Sequence, residues 1–255
     1  MLYLQTFAQT DPGIKYARDP MRWLALVIAL AAFAQRAAAF DPTDQYEKRE
    51  VQGFAILVNP EVHKHADEAK EAFAELDSQL KKLCDVVPEK PLAELKKVRI
   101  WIEWEAKKNG AAEFHSSLGW LKENGYNSDK EKSVEINNAR NFVKWSRQNQ
   151  PWMMLHELAH SYHFRVLGDE FAPLHEAYKQ AKERKLYDEV EYIQDSKTRL
   201  KKKAYALSAP AEYFAELTEA YFGKNDFFPF TRAELEKHDP IGYELMKKAW
   251  GDPVK

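Results

Sequence analysis

His156-Glu157-Leu158-Ala159-His160 sets two imidazoles four positions apart with a carboxylate between them. On an α-helix, residues i and i+4 rise from one face with Cβ atoms about 5–6 Å apart, so both rings can reach a common point. Trp152, Met153, Met154, Leu155, Leu158 and Ala159 give the segment an apolar body, and Pro151 stands where a first helical residue is expected. A buried helix is therefore predicted here. Two imidazoles on one helical face make half of a tetrahedral zinc site, whose catalytic form keeps one position open. Glu157 then lies beside that position, placed to take a proton from a water whose pKa the ion brings down toward ~7. Metal-assisted peptide hydrolysis is the chemistry this pattern supports.

The bulk of the chain sets limits on that reading. At 255 residues it has length for one large domain or two small ones, and its net charge of −2 leaves no basic excess to neutralise phosphates. Nucleic-acid binding is therefore not expected. Met21-Arg22, the twelve apolar residues Trp23 to Ala34, and the small residues Ala37-Ala38-Ala39 before Phe40 read as a signal peptide. Twelve residues are too few to span a bilayer, so no stable membrane insertion is expected once the signal is removed. Residues 1–20 then form an upstream extension from a start placed too early, 21–39 the signal, and 40–255 the mature domain. This predicts a secreted or periplasmic protein. Cys84 is the single cysteine, which excludes an intramolecular disulfide.

Along the mature chain, Phe54 to Val58 forms an apolar run ended by Asn59-Pro60, which suits a buried strand. Ala66, Ala69, Phe73, Leu76, Leu80 and Leu83 recur at helical spacing up to Pro88. Val98, Ile100, Ile102 and Trp104 alternate as a second strand, and Ser133 to Asn137 offers a third. Helices are expected from Pro173 to Leu186 and from Ala209 to Phe222. The predicted fold class is α+β, a zincin-like domain with a small mixed sheet over the HExxH helix and a mainly helical C-terminal half. In zinc-peptidase domains of this layout the last strand before the metal helix is a sheet edge, where an extended substrate pairs by β-augmentation, and a plain internal sheet fits this sequence equally. Lys197 to Lys203 carries five basic residues in seven and reads as an exposed helix face or loop, or else as a preference for acidic substrates.

A catalytic zinc takes a third protein ligand, for which His163, His175, Glu212, Glu216 and Glu219 are candidates. His163 lies a further turn along the helix from His160, and it occupies the glycine position of the extended HExxHxxGxxH pattern. Glu212-Tyr213-Phe214-Ala215-Glu216 offers a better solution. Of two carboxylates at i and i+4, the first can bind the ion while the second hydrogen-bonds a liganding imidazole. The aromatic neighbours of these acids strengthen the case, because carboxylates in apolar surroundings need a metal or a charge partner.

HELAH followed some fifty residues later by EYFAE resembles the gluzincin group of zinc metallopeptidases. Within it, the closest resemblance is to the catalytic domain of anthrax lethal factor and its relatives. Glu216 to Leu235 also resembles a set of uncharacterised exported bacterial proteins with the same metal motif. The resemblance implies Zn²⁺ as cofactor, His156, His160 and Glu212 as ligands, and Glu157 as general base. It further implies Glu216 as the carboxylate that holds a liganding histidine. Tyr205, seven residues before Glu212, falls where the lethal-factor pattern has a tyrosine donating to the developing oxyanion. The expected function is an exported zinc metallopeptidase acting on a peptide or protein substrate. Two alternatives stand beside it: a non-catalytic binding protein on the same fold, and a zinc hydrolase of a non-protein amide.

Overall fold

A computed structural model describes residues 40–254. The upstream extension expected at residues 1–20 and the signal expected at 21–39 lie outside the described residues. The chain runs β1 (Glu47–Val51), β2 (Phe54–Val58), α1 (Pro60–His63), α2 (Ala66–Val86), α3 (Glu89–Leu95), β3 (Ile100–Ile102), β4 (Glu113–Phe114), α4 (Leu118–Glu123), β5 (Val134–Ile136) and α5 (Ala139–Gln148). There follow α6 (Met153–Tyr162), α7 (Ala172–Glu183), β6 (Val190–Ile193), β7 (Arg199–Lys202), α8 (Pro210–Phe222), α9 (Arg232–His238) and α10 (Pro240–Trp250). The fold is α+β, with a small mixed sheet beside the HExxH helix and a mainly helical C-terminal half. No helix among the described residues is long and apolar enough to cross a membrane.

The five-stranded sheet has the order β1-β2-β3-β5-β4. Its centre is parallel, with Ile56 beside Ile100 and Ile100 beside Val134, and both outer pairs are antiparallel. Of the two arrangements the sequence left open for β5, the last strand before the HExxH helix, the structure has the inner one, and the edge is β4. A parallel β3–β5 pair needs a long crossover, and the residues of that crossover lay down the two-residue β4 on the far side of β5. Neither β1 nor β4 shows a hydrophobic run: β1 reads Glu-Lys-Arg-Glu-Val, and its hairpin turns through Gln52 and Gly53, both at positive φ as the two-residue turn requires. Within the basic run 197–203, Arg199–Lys202 is an exposed strand rather than a helix or loop, pairing with β6 in a separate hairpin.

Alternation assigns each sheet residue to a face. Ile56, Val58, Ile100, Ile102, Val134 and Ile136 join the main core, while Leu57 and Trp101 face the other side with Tyr46. That outer face is sealed by a buried ion network. Lys130, with no exposed surface, donates to Glu103 and to Glu135, each at 2.6 Å, and the Glu135 carboxylate also meets His115 Nε2 at 2.5 Å. The Phe40 ring covers the Lys130 ammonium at 4.2 Å. Losing one member of such a network costs about 3–5 kcal/mol, because the remaining charges stay buried without a partner.

The helices that carry the candidate site are held from several sides. Helix α6 begins at Met153, two residues after Pro151, which lies in the preceding turn rather than at the first helical position. The Met154 amide, one of the donors a helix start leaves unpaired, donates to Gln79 Oε1 of α2 at 2.9 Å. Gln79 is fixed in turn by its bond to Ser146 Oγ of α5. At the other end, Tyr162 donates to the Ala249 carbonyl and stacks on Trp250 of α10. Trp250 Nε1 donates to Thr218 of α8, and the buried Asp239 accepts from the Tyr187 and Tyr213 hydroxyls while capping α10 through Gly242 N. Helix α10 is therefore a clamp across α6 and α8.

Candidate metal centre and cleft

Helices α6 and α8 lie against each other and bring the two sequence motifs together. Glu212 Oε2 lies 3.1 Å from His156 Nε2 and 3.2 Å from His160 Nε2. The two imidazole rings are 4.9 Å apart and nearly perpendicular. One donor atom from each of His156, His160 and Glu212 lies within 4.8 Å of the other two. Two nitrogens and one carboxylate oxygen converging in this way match the donor set of a catalytic zinc. Among the described residues, two other acid–histidine groups are as compact, but each is already committed. In Glu113–His115–Glu135, Lys130 neutralises Glu135 and Lys107 pairs with Glu113 at 2.6 Å; in His156–Glu216–Glu219, a carboxylate takes the imidazole Nδ1.

Electrostatics follow from this geometry. Burial alone pushes the Glu212 carboxyl up, but bonds from both imidazoles outweigh it and hold the group far below the usual carboxylate range. Burial likewise pushes the His156 imidazole down, yet its bonds to Glu212 and Glu219 raise it well above its ordinary value. Glu157 is raised, chiefly by burial, against the lowering effect of the two imidazoles. Behind His156, burial lifts Glu216 well above the carboxylate range, and Asp226 and Glu219 add to the shift. Asp226 is pushed up to about 7 by burial and by Glu219.

Glu216 does not bond a histidine, contrary to expectation. Its Oε2 accepts from Asn225 Nδ2 at 3.1 Å, and its Oε1 stands 4.0 Å from His156 Nδ1. Glu219 Oε1 takes the Nδ1–H bond instead, at 2.8 Å. The reason is helical phase. Seven residues turn the helix by about 700°, some 20° short of two full turns, so Glu219 stays on the stripe of Glu212, while Glu216 is rotated about 40° aside.

A cleft of about 570 Å³ opens over this cluster, between α6, α8 and the sheet edge. His156, Glu157, His160 and Glu212 line it, and Gly110 to Phe114, running into β4, form one wall. Phe114 stacks on Phe164 at 5.8 Å at one end of the cleft. Tyr205, in the short helical turn Tyr205–Leu207, is half exposed and lines the cleft with its ring 6.5 Å from that of His156. Burial, then Glu212, pushes its phenol pKa up from the ordinary value. His163 and His175, the histidines weighed as third ligands, are absent from the cleft. His163 is buried in the π-helical turn His163–Leu167 with neither ring nitrogen bonded, and His175 Nε2 bonds the Asp169 carbonyl.

The sequence reading missed Glu219 as a histidine partner, along with the wall formed by Gly110 to Phe114. The first had a signal in its two-turn spacing from Glu212. The second had none, because Gly-Ala-Ala-Glu carries no strand pattern.

A scan against protein-family models returns no match. A search of curated proteins likewise returns none. Among solved structures, the Pro-Pro endopeptidase PPEP-2 from Paenibacillus alvei is similar, with 20% identity and a TM-score of 0.43 over 70% of this chain and 92% of that one.

Proposed function

We propose that this chain is a zinc-dependent peptidase of the gluzincin type that its two motifs resemble, with His156, His160 and Glu212 as ligands. The observation that carries the reading is the convergence of those three donors within 4.8 Å on the floor of a cleft that also holds Glu157. Zinc held by those three residues would supply Lewis acidity to a substrate carbonyl and to water. Glu157, lining the cleft beside the two imidazoles, takes the proton of the attacking water and passes it to the leaving amine. Tyr205, in the cleft wall, donates its phenolic hydrogen to the carbonyl oxygen as negative charge develops there. The open side of β4 receives the substrate backbone as an added strand, which favours an extended peptide over a small non-protein amide. A purely binding role has no use for Glu157 in the cleft.

The test is incubation of the purified protein with a diverse peptide library, with and without a chelator, beside Glu157→Gln. Cleavage that requires both metal and Glu157 is expected; no cleavage of any peptide, or cleavage indifferent to both changes, overturns the reading. Export is part of the proposal and rests on the pattern from Met21 to Phe40. N-terminal sequencing of secreted material is expected to start at or near Phe40, and a mature chain beginning at Met1 would remove it.

A further inference from the structure

We infer that Glu219 is the positioning residue for His156, fixing which ring nitrogen faces Glu212 and His160. The inference rests on the zinc reading above. A histidine ring turns broadly about its second side-chain torsion, so a ligand imidazole needs a partner on its far nitrogen to hold one orientation. Glu219 supplies that partner at 2.8 Å to Nδ1, which leaves Nε2 turned to Glu212 at 3.1 Å. Glu219 is only 5% exposed, so little water competes for the bond.

Glu216, at 4% exposure, is the rival for this role, but its carboxylate is drawn away by Asn225. The loop after α8 holds that arrangement in place. Asn225 Oδ1 accepts from the Asp226 amide, and Asp226 Oδ2 accepts from Asn149 Nδ2 at 3.0 Å, where the same Asn149 amide also donates to the Ile193 carbonyl of β6. Glu216 is thereby tied to the loop and Glu219 is left to the histidine.

The experiment compares zinc affinity, by chelator competition, in the wild-type chain, Glu219→Leu, Glu219→Gln and Glu216→Gln. It also follows the His156 ring N–H resonance in the metal-free proteins by NMR. Glu219→Leu is expected to weaken zinc by about 10- to 100-fold and to lose the Nδ1–H resonance. Glu219→Gln, whose amide oxygen still accepts that bond, is expected to keep the resonance and most of the affinity. Glu216→Gln should stay within about threefold of wild type. Wild-type affinity in Glu219→Leu, or a larger loss in Glu216→Gln than in the Glu219 variants, overturns the inference. Should Glu219→Leu not fold, a Glu219→Gln protein that has lost the resonance overturns it as well. A wild-type chain that binds no zinc refutes the metal reading instead, while the metal-free resonance still reports on Glu219.

Discussion

Glu157 and Tyr205 line the same cleft, yet their replacement should separate cleanly by what is measured. Glu157→Gln deletes a base without deleting a ligand, so zinc content should stay near wild type while turnover falls by roughly 10²- to 10⁴-fold. His160→Ala, by contrast, should lose metal. Equal zinc loss in both variants would show that Glu157 coordinates rather than transfers protons. Tyr205→Phe removes only the phenolic donor, so kcat should drop by about 10²- to 10³-fold with KM little changed, as for an interaction made in the transition state. A rise in KM at constant kcat would instead make Tyr205 a simple wall of the cleft. Glu157 was legible because its chemistry depends on local spacing, whereas Tyr205 was implied only by the family resemblance. Glu219 was legible in phase but not in role, since only the neighbouring helix decides which carboxylate meets the imidazole.

At the scale of elements, the turn that ends α6 carries a liability of its own. His163 is buried in that π-turn without a hydrogen-bond partner, its ring near those of Phe164 and Phe214. Burial, only partly opposed by Asp169, pushes its imidazole down to about 4. The unfolded chain takes up the proton near 6.5 and the folded chain does not until about 4, so stability falls with pH across that window and levels off below it. The loss attributable to this group is about 3 kcal/mol by pH 4. Urea unfolding of the metal-free protein at pH 7.5 and 4.5 should therefore show a smaller acid loss for His163→Phe than for wild type. An equal loss in both would mean that the turn opens to hydrate the ring. The β4 edge is an element-scale lesson of another kind: two residues without a hydrophobic pattern form the wall of the cleft because β5 offers them a partner.

For the molecule as a whole, the candidate ligands come from two helices, α6 and α8, that are far apart in sequence. An ion joining them should stabilise the folded chain by mass action. At free zinc about 1,000 times its dissociation constant, removal by a chelator should cost about 4 kcal/mol and lower Tm on the order of 10 °C. Glu212→Ala should abolish most of that shift, and a Tm indifferent to chelator in the wild-type protein would argue against a bound metal. Assembly around α10 bears on the same point. Trp250 contacts both α6 and α8 and so ties the two halves of the site to each other.

Sequence alone determined the parts whose geometry is local: the HExxH face, the helix periods of α2 and α8, the apolar run of β2 and the alternation of β3. Each follows from residue spacing along one element, which the backbone converts directly into direction. Tertiary structure decided the rest. Which strand is the sheet edge depends on where the chain crosses between β3 and β5. Which carboxylate holds His156 depends on the docking of α8 on α6 and on Asn225 drawing Glu216 aside. That Lys130 is buried rather than exposed depends on two carboxylates brought from β5 and from just beyond β3. Partners distant in sequence leave no period in it, and their choice is made only when the elements pack.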